Sequence, residues 1–136
     1  MLVRNILAAL CLYWAGVCNG MMDATQFHYS KTVFADKTRH SQQFWDPSIS
    51  WKNKYRNLDP KQGEAFPLAS TALVFLTDGW HLFKFGMLKG FILAVVLMLP
   101  FSAYLGHERW QVWGGNALLF LIGHAAFNLG FHTSYV

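Results

Sequence analysis

Asp78 and His81 lie three residues apart in an otherwise apolar stretch, so on a helix both project from one face. Thr77 precedes His81 by four positions and Lys84 follows it by three. A carboxylate beside an imidazole suits two kinds of chemistry: an acid/base pair, or a pair of metal ligands. It also suits a structural role, an Asp–His hydrogen bond that locks helices together. Farther along, His124, Asn128 and His132 recur at steps of four and share a stripe on one helix. Asp23 adds a carboxylate near the start of the chain, while His28, five residues on, falls on a different face and suits an interface.

Asp78, His81 and His124 are therefore the candidate catalytic set. Asp23 and His132 extend it to a candidate metal set, with Asn128 in support. Two histidines with one or two carboxylates suit zinc, iron or manganese. A divalent metal such as zinc would activate water for hydrolysis or group transfer. No compact metal motif accompanies these residues: the sequence contains no H-E-x-x-H, no E-x-x-H and no C-x-x-C. It also contains no glycine-rich phosphate loop, and no serine or cysteine marked as a nucleophile by its context. His40, in a basic segment, and His107, in a polar turn, are expected to be solvated.

The elements that must position these groups are hydrophobic helices. Apolar residues make up 54% of the 136 residues, aromatics 17% and charged residues 13%. A soluble domain carries about 25% charged residues, and a chain this short cannot cover so much apolar surface in water. The fold class is thus all-α, an integral membrane bundle of about four spans, expected at 6–27, 68–85, 86–104 and 112–131. Each of the last three has the length that crosses a hydrocarbon core. A tight connection containing Lys89 and Gly90 is expected between the second and third. Gly123, Ala126 and Gly130 form a row of small residues in the last span, where another helix can approach closely.

The first span has a competing reading as a secretory signal, with Arg4 before an apolar stretch and a weak lipobox at Ala15-Gly16-Val17-Cys18. Asn19, Asp23, Gln26 and Ser30 continue past it on one helical stripe, which favours a retained helix. Cys11 and Cys18, seven residues apart on one helix, are about 10 Å apart by helical rise, too far for a disulfide.

Between the first two spans, residues 31–66 lose hydrophobic periodicity and are punctuated by Asp46-Pro47, Asp59-Pro60, Gly63 and Phe66-Pro67. Seven of the eleven Lys and Arg fall here: Lys31, Lys37, Arg39, Lys52, Lys54, Arg56 and Lys61. Trp45, Trp51, Lys52, Lys54, Tyr55 and Arg56 combine rings and cations as residues at a lipid boundary do. The partners implied are the bilayer and anionic lipid head groups, not nucleic acid, which needs a broader basic face. A short helix is expected around Ser30 to Arg39. The positive-inside bias places this segment and Arg109 in the cytoplasm, with both ends of the chain outside.

The string Phe44-Trp45-Asp46-Pro47-Ser48-Ile49-Ser50-Trp51-Lys52-Asn53-Lys54-Tyr55 resembles a loop found in a family of short bacterial multi-helix membrane proteins. Asp59-Pro60-Lys61-Gln62-Gly63, Thr77-Asp78-Gly79-Trp80-His81 and Asn128-Leu129-Gly130-Phe131-His132 extend the likeness from about Met22 onward. The resemblance implies a helical protein of the bacterial inner membrane and brings no activity, cofactor or partner.

Three functions compete. The sequence favours a non-catalytic membrane component whose intramembrane Asp and His groups fix helix packing, as a homo-oligomer or beside a partner membrane protein. The alternatives are a metal-dependent hydrolase or transferase on a lipid-like substrate, and proton or ion transport by an oligomer.

Overall fold

The computed structural model describes residues 2–35, 38–98 and 109–135 and is built from helices and tight turns, with no strand among those residues. The helices are α1 (Leu2–Phe27), α2 (Arg39–Trp45), α3 (Pro47–Ser50), α4 (Gly79–Met98) and α5 (Arg109–Ser134). Three of them, α1, α4 and α5, are long and apolar enough to cross a membrane.

Small residues set how these three pack. α1 lies between α4 and α5, which hardly touch each other beyond a stack of Phe91 on Phe127 at 5.4 Å. Against α5, Gly16 faces the backbone of Phe127 and Phe131, and Gly130 faces the backbone at Tyr13 and Val17. A methyl group at either glycine would collide with main-chain atoms that have nowhere to move. Against α4, Gly86 accommodates Cys18, and Gly90 accommodates Ala15 and the carbonyl of Cys11. Of the row expected from Gly123, Ala126 and Gly130, Gly130 meets the backbone of α1 and Gly123 meets the Leu12 side chain, so this is a close-approach face. α1 answers it with Gly16 and Gly20, a small-xxx-small pair that begins inside the stretch that resembles a lipobox.

The pairings make α4 antiparallel and α5 parallel to α1. Accordingly the His28 ring nitrogen Nε2 meets the Tyr135 hydroxyl at 3.0 Å, bringing the end of α5 beside the end of α1. This corrects the expectation that both ends of the chain share a side: the start of α1 and the end of α5 lie at opposite ends of the bundle.

The expected spans 68–85 and 86–104 are also redrawn. Residues 68–78 are turns and a 3-10 segment, and α4 runs unbroken through Lys89-Gly90. Two local causes explain this. Glu64 accepts the amide N–H groups of Leu68 (3.1 Å) and Ser70 (3.0 Å), fixing a turn in which Leu68 takes φ 65°. Gly90 serves contact with α1 instead of a turn, so it leaves the helix intact. Residues 99–104 of the expected third span lie outside the described residues.

Residues 28–35 and 38–78 fold over one end of the bundle. Their Asp-Pro pairs, expected as breaks, start single turns of helix. Asp46 accepts the amide of Ser48 at 2.9 Å with Pro47 leading α3, and Asp59 accepts the amide of Lys61 at 3.0 Å beside Pro60. The short helix expected around 30–39 is a 3-10 turn at Tyr29–Lys31, and the α-helix begins only at Arg39.

Candidate functional site

Asp78 ends the turn segment and begins α4. Its carbonyl accepts the Leu82 amide at 3.0 Å and its Oδ1 accepts the His81 amide at 2.9 Å, which makes it the helix N-cap. A carboxylate is favoured there by the partial positive charge of the helix start. The His81 ring then donates from Nδ1 to the same carboxylate, 2.8 Å from Oδ2. The Thr77 hydroxyl lies 3.1 Å from Oδ2 and 2.7 Å from the Val74 carbonyl. Asp78 is only 2% exposed. Burial pushes its carboxyl pKa up, but hydrogen bonds from the His81 ring and amide, the His81 charge and Thr77 together outweigh that. The net effect holds it below the ordinary carboxylate value.

This pair is tied to the loop. The Asn53 side-chain amide donates to the Thr77 carbonyl at 2.7 Å and to the Gln43 carbonyl at 2.8 Å. Gln43 returns a bond to Asn53 Oδ1 at 2.9 Å. One asparagine therefore ties α2 to the residue preceding the N-cap. Above it, the Trp45 ring stacks on Phe34 at 4.1 Å, reaches Phe83 at 5.7 Å and lies against Gly79, where any side chain would displace it. Trp45, expected at the lipid boundary, instead packs in this aromatic cluster.

Four of the remaining boundary residues form two cation–ring pairs. Lys52 Nζ lies 5.6 Å from the centre of the Trp51 ring, and Lys54 Nζ lies 5.6 Å from that of Tyr55. Arg56 is drawn into the loop, donating from Nε to the Glu64 carbonyl at 2.9 Å. On α4, Lys84 reaches back over Trp80 at 5.0 Å and Lys89 over Phe85 at 5.1 Å. Both cations therefore lean toward the loop end, as snorkelling side chains do.

The other sequence candidates stand elsewhere. His124 bonds to Asn128, Nε2 to Nδ2 at 2.9 Å, as the shared stripe implied. The Phe91–Phe127 contact fixes the relative heights of α4 and α5. Measured from it, His124 lies about 20 Å along the bundle from His81 by helical rise. The expected convergence of Asp78, His81 and His124 is thus corrected: the first two are at the loop end and the third at mid-span. His132 is exposed, its ring edge-on to Phe131 at 5.6 Å. Asp23, half-buried on α1, makes no hydrogen bond or ion pair with any of these groups among the described residues. Among those residues no three His, Cys, Asp or Glu side chains stand together to hold a metal ion. The donor set expected for zinc is not assembled. The helix of His40 is described but not its side chain, and His107 lies outside the described residues.

Sequence reasoning missed Asn53 and Gln43, whose side chains organise the loop, although Asn53 sits within the distinctive loop string. Chemically, the Asp78–His81 pair can cap, orient and hold one proton between carboxylate and ring. No family model, curated protein or solved structure matches this chain.

Proposed function

We propose that this chain is a non-catalytic, multi-pass component of a bacterial inner membrane, whose Asp and His groups fix packing. The observation carrying this reading is the engagement of Asp78. Both carboxylate oxygens are occupied by the cap of α4, the His81 ring and Thr77, which leaves little acceptor capacity for a substrate. α1, as the packing centre between α4 and α5, suits a retained span.

With three crossings, the loop and the end of α5 share one side. Lys31, Arg39, Lys52, Lys54, Arg56 and Lys61 all belong to that side, and the positive-inside bias makes it the cytoplasm. The Trp51–Lys52 and Lys54–Tyr55 pairs then meet anionic head groups. The likeness of the loop to that of short bacterial membrane proteins is in keeping with this placement.

The test is complementation. Asp78→Asn retains a good N-cap, so in a strain lacking the gene it is expected to restore the phenotype as well as the native chain. Loss of complementation by an Asp78→Asn protein that is still folded and membrane-inserted would overturn the non-catalytic reading. In that case the His81 ring, oriented by its carboxylate and with Nε2 left over, becomes a general base, and His81→Gln should share the defect.

A further inference from the structure

We infer that α5 pairs with α5 of a second copy of this chain through the face carrying Phe120, His124 and Asn128. The inference rests on the membrane placement proposed above. His124 sits at the middle of the apolar span Trp113–Ser134, where lipid offers no hydrogen-bonding partner. It is nonetheless exposed, as is Asn116 two turns below it. The Asn128 amide can only donate to His124 Nε2, so the ring proton resides on Nδ1. Two groups are left over, a donor at His124 Nδ1 and an acceptor at Asn128 Oδ1, with no hydrogen bond to them among the described residues. A polar group in hydrocarbon persists when something covers it with a complementary group.

The chain's own surfaces decide what that cover is. The outward face of α4 carries Leu88, Ile92, Leu93, Val95 and Val96 with Lys84 and Lys89, which only donate and lean toward the loop end. The outward face of α1, with Val3, Ile6, Leu7 and Leu10, is apolar. Among the described residues α5 presents a donor and an acceptor on the same outward row at mid-span, whereas the polar stripe of α1, Asn19, Asp23 and Gln26, lies toward the loop end of that helix. Its leftover donor and acceptor are one turn apart, so a two-fold axis along the membrane normal can make each satisfy the other twice.

Shape agrees with this. Beside the row lies an apolar groove of about 590 Å³ between α4 and α5, floored by Leu12 and Gly123 and walled by Phe91, Val95 and Met98. Phe120, 71% exposed, projects at its edge as the knob for the second copy's groove. Rows at steps of four are inclined to the helix axis, so two such helices cross at about −40° to −50°.

The experiment uses the full chain in native membranes, with Cys11 and Cys18 changed to alanine. Phe120→Cys is expected to form a disulfide-linked homodimer under mild oxidation, whereas Val96→Cys on the outer face of α4 is not. In detergent, sedimentation should give a dimer whose dissociation constant rises roughly tenfold in His124→Ala with Asn128→Leu. Circular dichroism on that variant establishes that it keeps its helices; if it does not, the Phe120→Cys and Val96→Cys pair decides alone. A membrane-retained monomer, equal cross-linking at Val96, or a Phe120→Cys adduct with a different protein would each overturn the pairing. Release of the protein by alkaline carbonate would instead defeat the membrane reading beneath it.

Discussion

The helical bundle and the loop that covers its end are held by opposite means. In the bundle, Gly16, Gly90 and Gly130 let backbones touch, and cohesion is dispersion between close surfaces. In the loop, cohesion is directional: Asp78, Asn53, Gln43 and Glu64 each engage two or more partners, and aromatic stacking around Trp45 closes the gaps. The difference follows from solvent. In the membrane placement proposed above, lipid removes the hydrophobic drive between helices and leaves shape to decide, whereas irregular backbone must satisfy its polar groups one at a time.

That contrast can be broken most forcefully in the bundle. Gly16→Leu or Gly130→Leu forces a side chain into backbone and should cost about 3 kcal/mol of bundle stability. Gly114→Leu on the same α5 meets open space and should be neutral in the same detergent unfolding assay. Asp78→Ala comes next. It removes the α4 cap and strands the His81 amide, costing about 1–2 kcal/mol. Hydrogen exchange should speed up across 28–82 and leave the α1–α5 contact unchanged. Gly79→Ala should cost about 1 kcal/mol, because the Trp45 ring can tilt where backbone cannot, and should appear as altered tryptophan emission.

The smallest effect expected is on pH. Hydrogen bonds from the Ser70 side chain and amide hold the exposed Glu64 carboxyl low, and Asp78 is also depressed. Groups depressed on folding stabilise above their unfolded values, near about 4, and that contribution is lost as pH falls through the folded values. Limited proteolysis should therefore show the loop opening below about pH 4 while the bundle persists. Loop and bundle melting together on acidification would contradict the separation.

The sequence made the bundle legible and the loop largely not, for the same physical reason. Length and hydropathy identify helices regardless of neighbours, so α1 and α5 lie within a few residues of the stretches those features mark, and the Gly123–Gly130 face is readable from spacing. Glycine is ambiguous: Gly90 looks the same in sequence whether it turns the chain or admits a neighbour, and that ambiguity split one helix into two. Asp78 misled similarly. Asp-x-x-His on one face was correct, but an aspartate three residues before a partner is also an N-cap, and the leucines and phenylalanines upstream hid the turn. The loop's lock depends on Asn53 reaching residues ten and twenty-four positions away, which no local pattern encodes. The distance between His81 and His124 required the register of α4 on α5, set by tertiary contacts alone.

The three-crossing arrangement is tested most directly by asking which ends share a side. Single cysteines at Val3, Ser48 and Tyr135, in a chain with Cys11 and Cys18 changed to alanine, can be probed with an impermeant maleimide on sealed inverted vesicles. The arrangement predicts labelling at Ser48 and Tyr135, with Val3 labelled only after the vesicles are opened. Labelling of Val3 and Tyr135 from the same side would contradict it.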